Sequence, residues 1–276
     1  MFYKEKYFKY KKKYIDLKNQ SVMKGGKPIH HFYNDVNNPD IYYLDLSDKS
    51  HLIHIIDNFC YKCINLRYIN LSPLSRLTYI FKYFMKDCTS LTSIDLSGLT
   101  KLEGINSNFM KDCTSLTSIN LSGLTKLKAI DSNFMVNCIN LTSINLSGLT
   151  KLEAIGYNFM NRCESLTSID LSGLTQLYYI GDNFMNDCTS LRSIDLSGLI
   201  RLETIGDKFM NNCENLTSID LSGLTQDKTI RKDFMVGCTS LIIIKSSKDV
   251  KSKLQKIVPQ KNKFGRNIRF IEYRYK

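Results

Sequence analysis

The chain has 276 residues, of which 43% are hydrophobic and 23% are charged, and its formal net charge at pH 7 is +12. This composition excludes a chain that is disordered throughout, because it supplies enough apolar side chains for a sizeable core. The sequence contains no run of about 18 apolar residues and no apolar secretory signal, so we expect a soluble, intracellular protein that is not secreted.

Residues 1–30 form a basic, aromatic N-terminal segment with nine Lys or Arg against two acids. Its tyrosines recur at intervals of four and three residues, which would place them along one seam of a helix. Four lysines at its centre make it a candidate tether: Lys9, Lys11, Lys12 and Lys13. The segment could pair with a second copy or contact nucleic acid or anionic lipid. Docking on the rest of the chain, or disorder, is the alternative.

Residues 61–245 contain a 25-residue repeat, and residues 31–60 read as a degenerate capping turn in the same register. One column is phenylalanine: Phe59, Phe84, Phe109, Phe134, Phe159, Phe184, Phe209 and Phe234. A cysteine follows each phenylalanine by four residues: Cys63, Cys88, Cys113, Cys138, Cys163, Cys188, Cys213 and Cys238. Eight units share this register, which predicts a solenoid of about eight turns.

Each unit predicts one strand, because Ile94 and Leu96 lie two residues apart and so share a face. One such face cannot be buried by a single turn, so neighbouring turns must stack and their strands form one parallel β-sheet. The fold class is therefore α/β, mostly strand and loop. Gly98 and its equivalents follow the strand, where a tight turn is expected. A short helical turn is predicted on the outer side around Asn108–Asp112.

Residues 246–276 predict a C-terminal cap that shields the last turn. Asp249–Val258 has the pattern of a short helix that ends before Pro259, and Asn267–Tyr273 alternates like a final strand. The basic charge is concentrated at the two ends of the chain. Residues 245–276 hold eleven Lys or Arg against two acids, whereas residues 31–244 hold 18 against 22.

The unit Phe-x-x-x-Cys-x-x-Leu-x-x-Ile-x-Leu, as at Phe109–Leu121, resembles the leucine-rich repeats of the BspA-like class. That resemblance covers about residues 41–245 and implies an extended, curved solenoid used mainly for adhesion and protein binding. The 25-residue period and Leu99, where common leucine-rich repeats have Asn or Cys, depart from the class. The lysine-rich residues 1–26 are also similar to a leader on proteins of giant DNA viruses of amoebae, which implies a viral origin and a place in host cytoplasm or virion.

Two patterns could carry chemistry. His51, His54, Cys60 and Cys63 have residue types and spacing found in zinc sites. However, Cys63 belongs to the cysteine column and Cys60 fills a methionine column, so we interpret both as packing residues with reduced thiols. No phosphate loop or nucleophile elbow is present. We therefore predict no enzyme activity, no cofactor and no metal.

The polar residues of the strand face are the candidate binding surface. They are Thr92, Asp95, Asn120, Asn145, Asp170, Asp195 and Asp220. Carboxylates on adjacent turns repel, so Asp170, Asp195 and Asp220 would favour a cation or a basic partner, although a solvated polar face is the simpler interpretation. The predicted function is a protein-interaction scaffold. Nucleic-acid association through the basic ends is the first alternative, and a passive structural or virion component is the second.

Overall fold

The computed structural model describes residues 42–44, 46–224, 230–231 and 233–272. Within these residues the chain winds into a solenoid of about nine turns of about 25 residues each, which confirms the predicted parallel-sheet solenoid. The predicted tether with Lys9, Lys11, Lys12 and Lys13 lies outside the described residues.

Each turn contributes one strand to a parallel ladder on one side of the solenoid, which we call the frontal ladder. Its strands are β1 (Tyr43–Leu44), β3 (Tyr68–Asn70), β5 (Ser93–Asp95), β7 (Ser118–Asn120), β9 (Ser143–Asn145), β11 (Ser168–Asp170), β13 (Ser193–Asp195), β15 (Ser218–Leu221), β16 (Ile243–Ser246) and β17 (Arg269–Glu272). The register is that of the repeat, with Ile169 opposite Ile194 and Ile194 opposite Ile219. The predicted strand and its inward column are therefore confirmed.

A second parallel ladder, the lateral ladder, lies where only one sheet was predicted. Its strands are β2 (His54–Ile55), β4 (Tyr79–Ile80), β6 (Gly104–Ile105), β8 (Ala129–Ile130), β10 (Ala154–Ile155), β12 (Tyr179–Ile180) and β14 (Thr204–Ile205). Each strand has two residues, of which the isoleucine is buried. Two residues are too short to show the alternation that identifies a strand in sequence, so the sequence revealed the buried column but not its conformation.

The outer side of each turn is not helical, so the predicted helical turn at Asn108–Asp112 is wrong. Asn108, Met110 and Asp112 have φ values of 65°, 49° and 64°, whereas a right-handed helix requires negative φ throughout. The shortest hydrogen bonds of this segment run between turns. The amide of Asn108 donates to the carbonyl of Ser132 in the next turn at 2.9 Å, and that of Met110 to Phe84 in the previous turn at 2.8 Å.

The core consists of side-chain columns that run the length of the solenoid. Rings of successive phenylalanines stack almost parallel, with centroids 4.8–5.4 Å apart between Phe59 and Phe234. The leucine and cysteine columns beside them are buried as well. Because each ring contacts a ring of another turn, no turn buries its apolar face alone.

Close approach between turns requires glycine after four of the frontal strands, at Gly98, Gly148, Gly198 and Gly223, and none of these glycines has a positive φ. A Cβ at Gly98 would lie 1.8 Å from the carbonyl oxygen of Ser72, and one at Gly148 would lie 1.7 Å from that of Ser122. These distances are far below van der Waals contact. The predicted tight turn is confirmed, since the amide of Leu99 donates to the carbonyl of Leu96 at 3.0 Å, and the close approach between turns is a further reason for glycine that the sequence did not reveal.

Both ends of the described chain continue the stack. At the N-terminal end β1 pairs with β3, with Leu44 opposite Ile69, and Phe59 is buried. At the C-terminal end helix α1 (Lys248–Ile257) is followed by β17, which pairs in parallel with β16, as the pattern predicted. No helix among the described residues is long and apolar enough to cross a membrane.

The buried columns predict how the stability of the solenoid responds to a charge introduced into its core. Leu146 is 3% exposed within the core, so Leu146→Asp should lower the free energy of unfolding by more than about 3 kcal/mol, because it buries an unpaired carboxylate. The matched variant Thr142→Asp, at an exposed position of the same turn, should lower it by less than about 1 kcal/mol. Denaturant unfolding followed by circular dichroism measures both. Equal losses of stability in the two variants would contradict the assignment of Leu146 as an inward-facing residue and Thr142 as an outward-facing one.

Candidate functional site

The frontal strands present two polar columns to solvent. In β11 the side chains of Ser168 and Asp170 are exposed while Ile169 between them is buried, because successive residues of a strand face opposite sides. The predicted binding column consists of exposed or half-buried side chains, and strand pairing divides the frontal ladder into the groups β1-β3-β5, β7-β9 and β11-β13-β15-β16-β17. The members of the column are Asp95, Asn120, Asn145, Asp170, Asp195 and Asp220.

Every member of this column also has a structural role that the sequence analysis missed. The Oδ1 atom accepts a hydrogen bond from the amide of the serine two residues later, for example from Ser97 to Asp95 at 2.9 Å and from Ser147 to Asn145 at 3.0 Å. This is an Asx turn, which ends the strand. The signal was present in the recurring Asp/Asn-Leu-Ser-Gly sequence. For the aspartates, the second carboxylate oxygen is not used by the turn.

Thr92, the remaining member of the predicted face, is also bound to the scaffold. Its hydroxyl donates to the carbonyl of Arg67 in the preceding turn at 3.0 Å, and Thr142 and Thr217 make the same bond to the preceding turn. The hydroxyl proton of Thr92 is therefore already engaged, which leaves only oxygen lone pairs for a ligand.

The acidic part of the column lies at the C-terminal end of the frontal ladder. Asp170, Asp195 and Asp220 occupy adjacent turns, and Lys245 continues the register, with its Nζ 3.4 Å from Asp220 Oδ2. These four side chains line a groove together with Ser193 and Ser218. Hydrogen bonds from the hydroxyl and amide of Ser172 hold the pKa of Asp170 below its usual value, so this carboxylate is ionised at neutral pH.

A second groove adjoins the first and is where the repeat becomes irregular. It is lined by Ser197, Ile200, Asp220, Ser222, Lys245, Ile271 and Glu272. Ile200, which stands where earlier turns have threonine, is 56% exposed, and Ile271 of β17 is 46% exposed. We call the two grooves together the frontal groove. Apolar side chains thus flank its charged end.

The cysteine column is a buried, hydrogen-bonded part of the core. Each thiol from Cys88 onward donates to a main-chain carbonyl of the preceding turn, with Sγ–O distances of 2.9–3.3 Å. All nine cysteines are free. Burial raises the pKa of Cys138 and of Cys188 to about 12, which keeps these thiols protonated.

The structure does not bring His51, His54, Cys60 and Cys63 together as a zinc site. The His54 ring stacks on Phe81 at a centroid distance of 5.6 Å, and His51 is exposed, whereas both cysteines lie in the core. Burial lowers the pKa of His54 and raises that of Cys60. Among the residues that the structure describes, no three His, Cys, Asp or Glu side chains form a group that could hold a metal ion.

The stacked columns and parallel ladders define a leucine-rich-repeat solenoid. The sequence matches the BspA type leucine rich repeat region over residues 37–167 and 153–258, and the chain belongs to that family. Leucine-rich-repeat regions commonly act as protein-interaction scaffolds and are typically non-catalytic.

Several solved structures are similar to this chain, among them the following three. A leucine-rich-repeat protein of T. pallidum has 21% identity and a TM-score of 0.46, with 78% of this chain and 80% of that chain covered. One from Bacteroides ovatus has 17% identity and a TM-score of 0.28, covering 80% and 88%. The functional domain of InlJ from Listeria monocytogenes, which includes a cysteine ladder, has 18% identity and a TM-score of 0.32, covering 75% and 46%. No curated protein matches the sequence.

Burial of the thiols predicts their reactivity. Because all nine cysteines are buried, dithionitrobenzoate should label almost none of them in the folded protein and all nine in guanidinium. For Cys138 and Cys188 ionisation adds to this protection, since at pH 8 a thiol with a pKa of about 12 is a thiolate in about one molecule in ten thousand. Cys63 depends on burial alone, because hydrogen bonds from Cys60 and Cys88 lower its pKa. The exposed variant Thr117→Cys should add one thiol that reacts at once. Rapid labelling of several native thiols, or one bound zinc per chain that is lost on changing His54, would contradict the packing interpretation.

Proposed function

We propose that this protein is a non-catalytic scaffold whose frontal groove binds an extended, basic segment of a protein partner. The observation that carries the proposal is the row formed by Asp170, Asp195 and Asp220, which lies in register on adjacent turns of a groove. The row spans about 10 Å, because strands in a ladder are about 4.8 Å apart. A basic segment that follows the solenoid axis would contact all three carboxylates.

Charge accounts for the preference for a basic segment. Two carboxylates about 5 Å apart repel by about 0.8 kcal/mol even in bulk water, and more beside a protein surface. Within the groove Asp220 is paired with a cation, the Nζ of Lys245 at 3.4 Å. A lysine or arginine of a partner placed between Asp170 and Asp195 would relieve this repulsion.

The irregular end of the frontal groove would determine the orientation in which a partner segment binds. Ile200 and Ile271 expose apolar surface beside Asp220 and Lys245. A segment with basic residues over the aspartates and an apolar residue at one end would fill both halves of the groove. The frontal strands from Ser93–Asp95 to Ser143–Asn145 repeat the same serine and Asp/Asn columns and offer no such distinction, so selectivity among these turns and the irregular end would come from the irregular end.

The side chains of the groove suit binding better than catalysis. They are serine, aspartate, glutamate, isoleucine and lysine, and neither histidine nor cysteine lines the groove. Two serine hydroxyls of the groove donate to carboxylates, Ser172 to Asp170 at 2.7 Å and Ser222 to Asp220 at 2.6 Å, and both bonds belong to the Asx turns that end the strands. An intracellular location and a viral origin, which the sequence of residues 1–26 suggests, stay predictions.

The test measures binding of two labelled peptides by fluorescence anisotropy, one of alternating lysine and serine and one of alternating glutamate and serine. The full-length protein should bind the lysine peptide more tightly. Asp170→Asn, Asp195→Asn and Asp220→Asn combined should weaken that binding about tenfold, because each exposed ion pair contributes about 0.5 kcal/mol. Asparagine keeps the Oδ1 acceptor of the Asx turn, as Asn120 and Asn145 do, so the melting temperature should not change.

The matched control removes the same charge elsewhere through Glu164→Gln, Glu203→Gln and Glu214→Gln, none of which lines the frontal groove. This control should bind the lysine peptide as the unmodified protein does. Equal loss in both triple variants would show a general effect of net charge and contradict a groove site. Equal binding of the two peptides, or binding of neither, would also contradict the proposal.

A further inference from the structure

The C-terminal cap is the most basic surface that the structure describes. Between Asp249 and Glu272 the sequence has seven Lys or Arg and no acid. Of the two flanking acids, Glu272 pairs with Lys251 at 3.5 Å, and Asp249 lies in the first turn of α1. This concentration of positive charge attracts anionic partners.

A closed turn at residues 261–267 projects from this cap. Lys261 and Asn267 form an antiparallel bridge, and the amide of Asn262 donates to the carbonyl of Arg266 at 2.9 Å. The chain reverses at Gly265, whose φ is 73°. We call these residues the cap turn.

The cap turn is anchored to the solenoid through Asn262, which is 7% exposed. Its Nδ2 donates to the carbonyl of Leu241 at 3.1 Å, and its Oδ1 accepts from the amides of Phe264 and Arg266 at 3.0 and 3.1 Å. The amide of Lys263 adds a bond of 2.7 Å to the carbonyl of Thr239. The turn is therefore held in one conformation before any partner arrives.

The tip of this ordered turn exposes an aromatic ring among cations. Phe264 is 66% exposed, and the Nζ of Lys263 lies 5.4 Å from the centre of its ring. Lys261 and Arg266 are exposed on either side. A single exposed apolar side chain is common on protein surfaces, but here the ring stands on an anchored turn with cations on both sides, which is a combination that can bind a ligand.

We propose that the cap turn binds single-stranded nucleic acid, with one base stacked on Phe264 and phosphates held by Lys261, Lys263 and Arg266. An aromatic ring flanked by cations is the arrangement that such binding uses, since the ring accepts any base and the cations follow the backbone. An anionic membrane is less well matched. Insertion of a protein surface into a membrane is favoured by a group of large apolar side chains. Phe264 is the single large apolar residue exposed in the cap turn. The site is separate from the frontal groove and does not depend on it.

The test measures anisotropy of a fluorescein-labelled oligothymidylate with the full-length protein across a salt series. Phe264→Ala and Phe264→Leu should each weaken binding about tenfold, whereas Phe264→Tyr should retain it, because only an aromatic ring stacks. Lys261→Gln, Lys263→Gln and Arg266→Gln combined should reduce the slope of log K against log salt by about two, as expected for three lost contacts to a single strand.

A matched control removes three exposed cations from the solenoid, through Lys101→Gln, Lys126→Gln and Lys151→Gln. It should leave the salt slope almost unchanged, and all variants should keep the melting temperature of the unmodified protein. The proposal is overturned if Phe264→Leu binds the oligonucleotide as well as the unmodified protein, or if the two triple variants change the slope equally. It is also overturned if phosphatidylserine vesicles are bound and the oligonucleotide is not.

Discussion

The structure depends on one constraint, which is that every turn must place the same side chain directly on that of its neighbour. The phenylalanine rings meet this constraint by stacking at about 5 Å, the spacing of parallel strands. The cysteines meet it with a thiol that donates to a carbonyl of the turn before, and the glycines meet it by lacking a Cβ where backbones nearly touch. A turn of 24 or 26 residues would displace all of these columns together.

The need to align side chains between turns also explains the strained backbone conformation on the outer side of each turn. Met110 and its equivalents adopt positive φ without being glycine, at a cost of about 1–2 kcal/mol each. In return their amides bond to the previous turn and their side chains are fully buried. Two residues before the methionine, most turns have asparagine, which tolerates this conformation, although Tyr83 and Lys208 also adopt positive φ there. Asn158 donates from Nδ2 to Asn133 Oδ1 of the preceding turn at 2.8 Å. Strain and stabilisation therefore recur together in each turn.

The sequence predicted those features that repeat and involve burial. The period, the inward Ile and Leu columns, the structural role of Cys63, helix α1 and strand β17 all follow from spacing. The left-handed conformations at Asn108, Met110 and Asp112 could not be derived, because apolar spacing reports burial and carries no information on the sign of φ. For the candidate site, the sequence placed Asp170, Asp195 and Asp220 in one row, but it did not reveal their Asx turns. The apolar end at Ile200 and Ile271 arises only when strand β17 returns to the sheet, which no local pattern shows.

The most direct test of the register is to delete one complete repeat and compare it with a deletion one residue longer. Removing residues 134–158 joins two equivalent positions, so every column continues, and the protein should keep its circular dichroism spectrum and unfold cooperatively at a slightly lower temperature. Removing residues 134–159 takes out one more residue and shifts every later column, so cooperative unfolding should be lost. If both proteins fold and melt alike, the register is not the constraint that determines this fold.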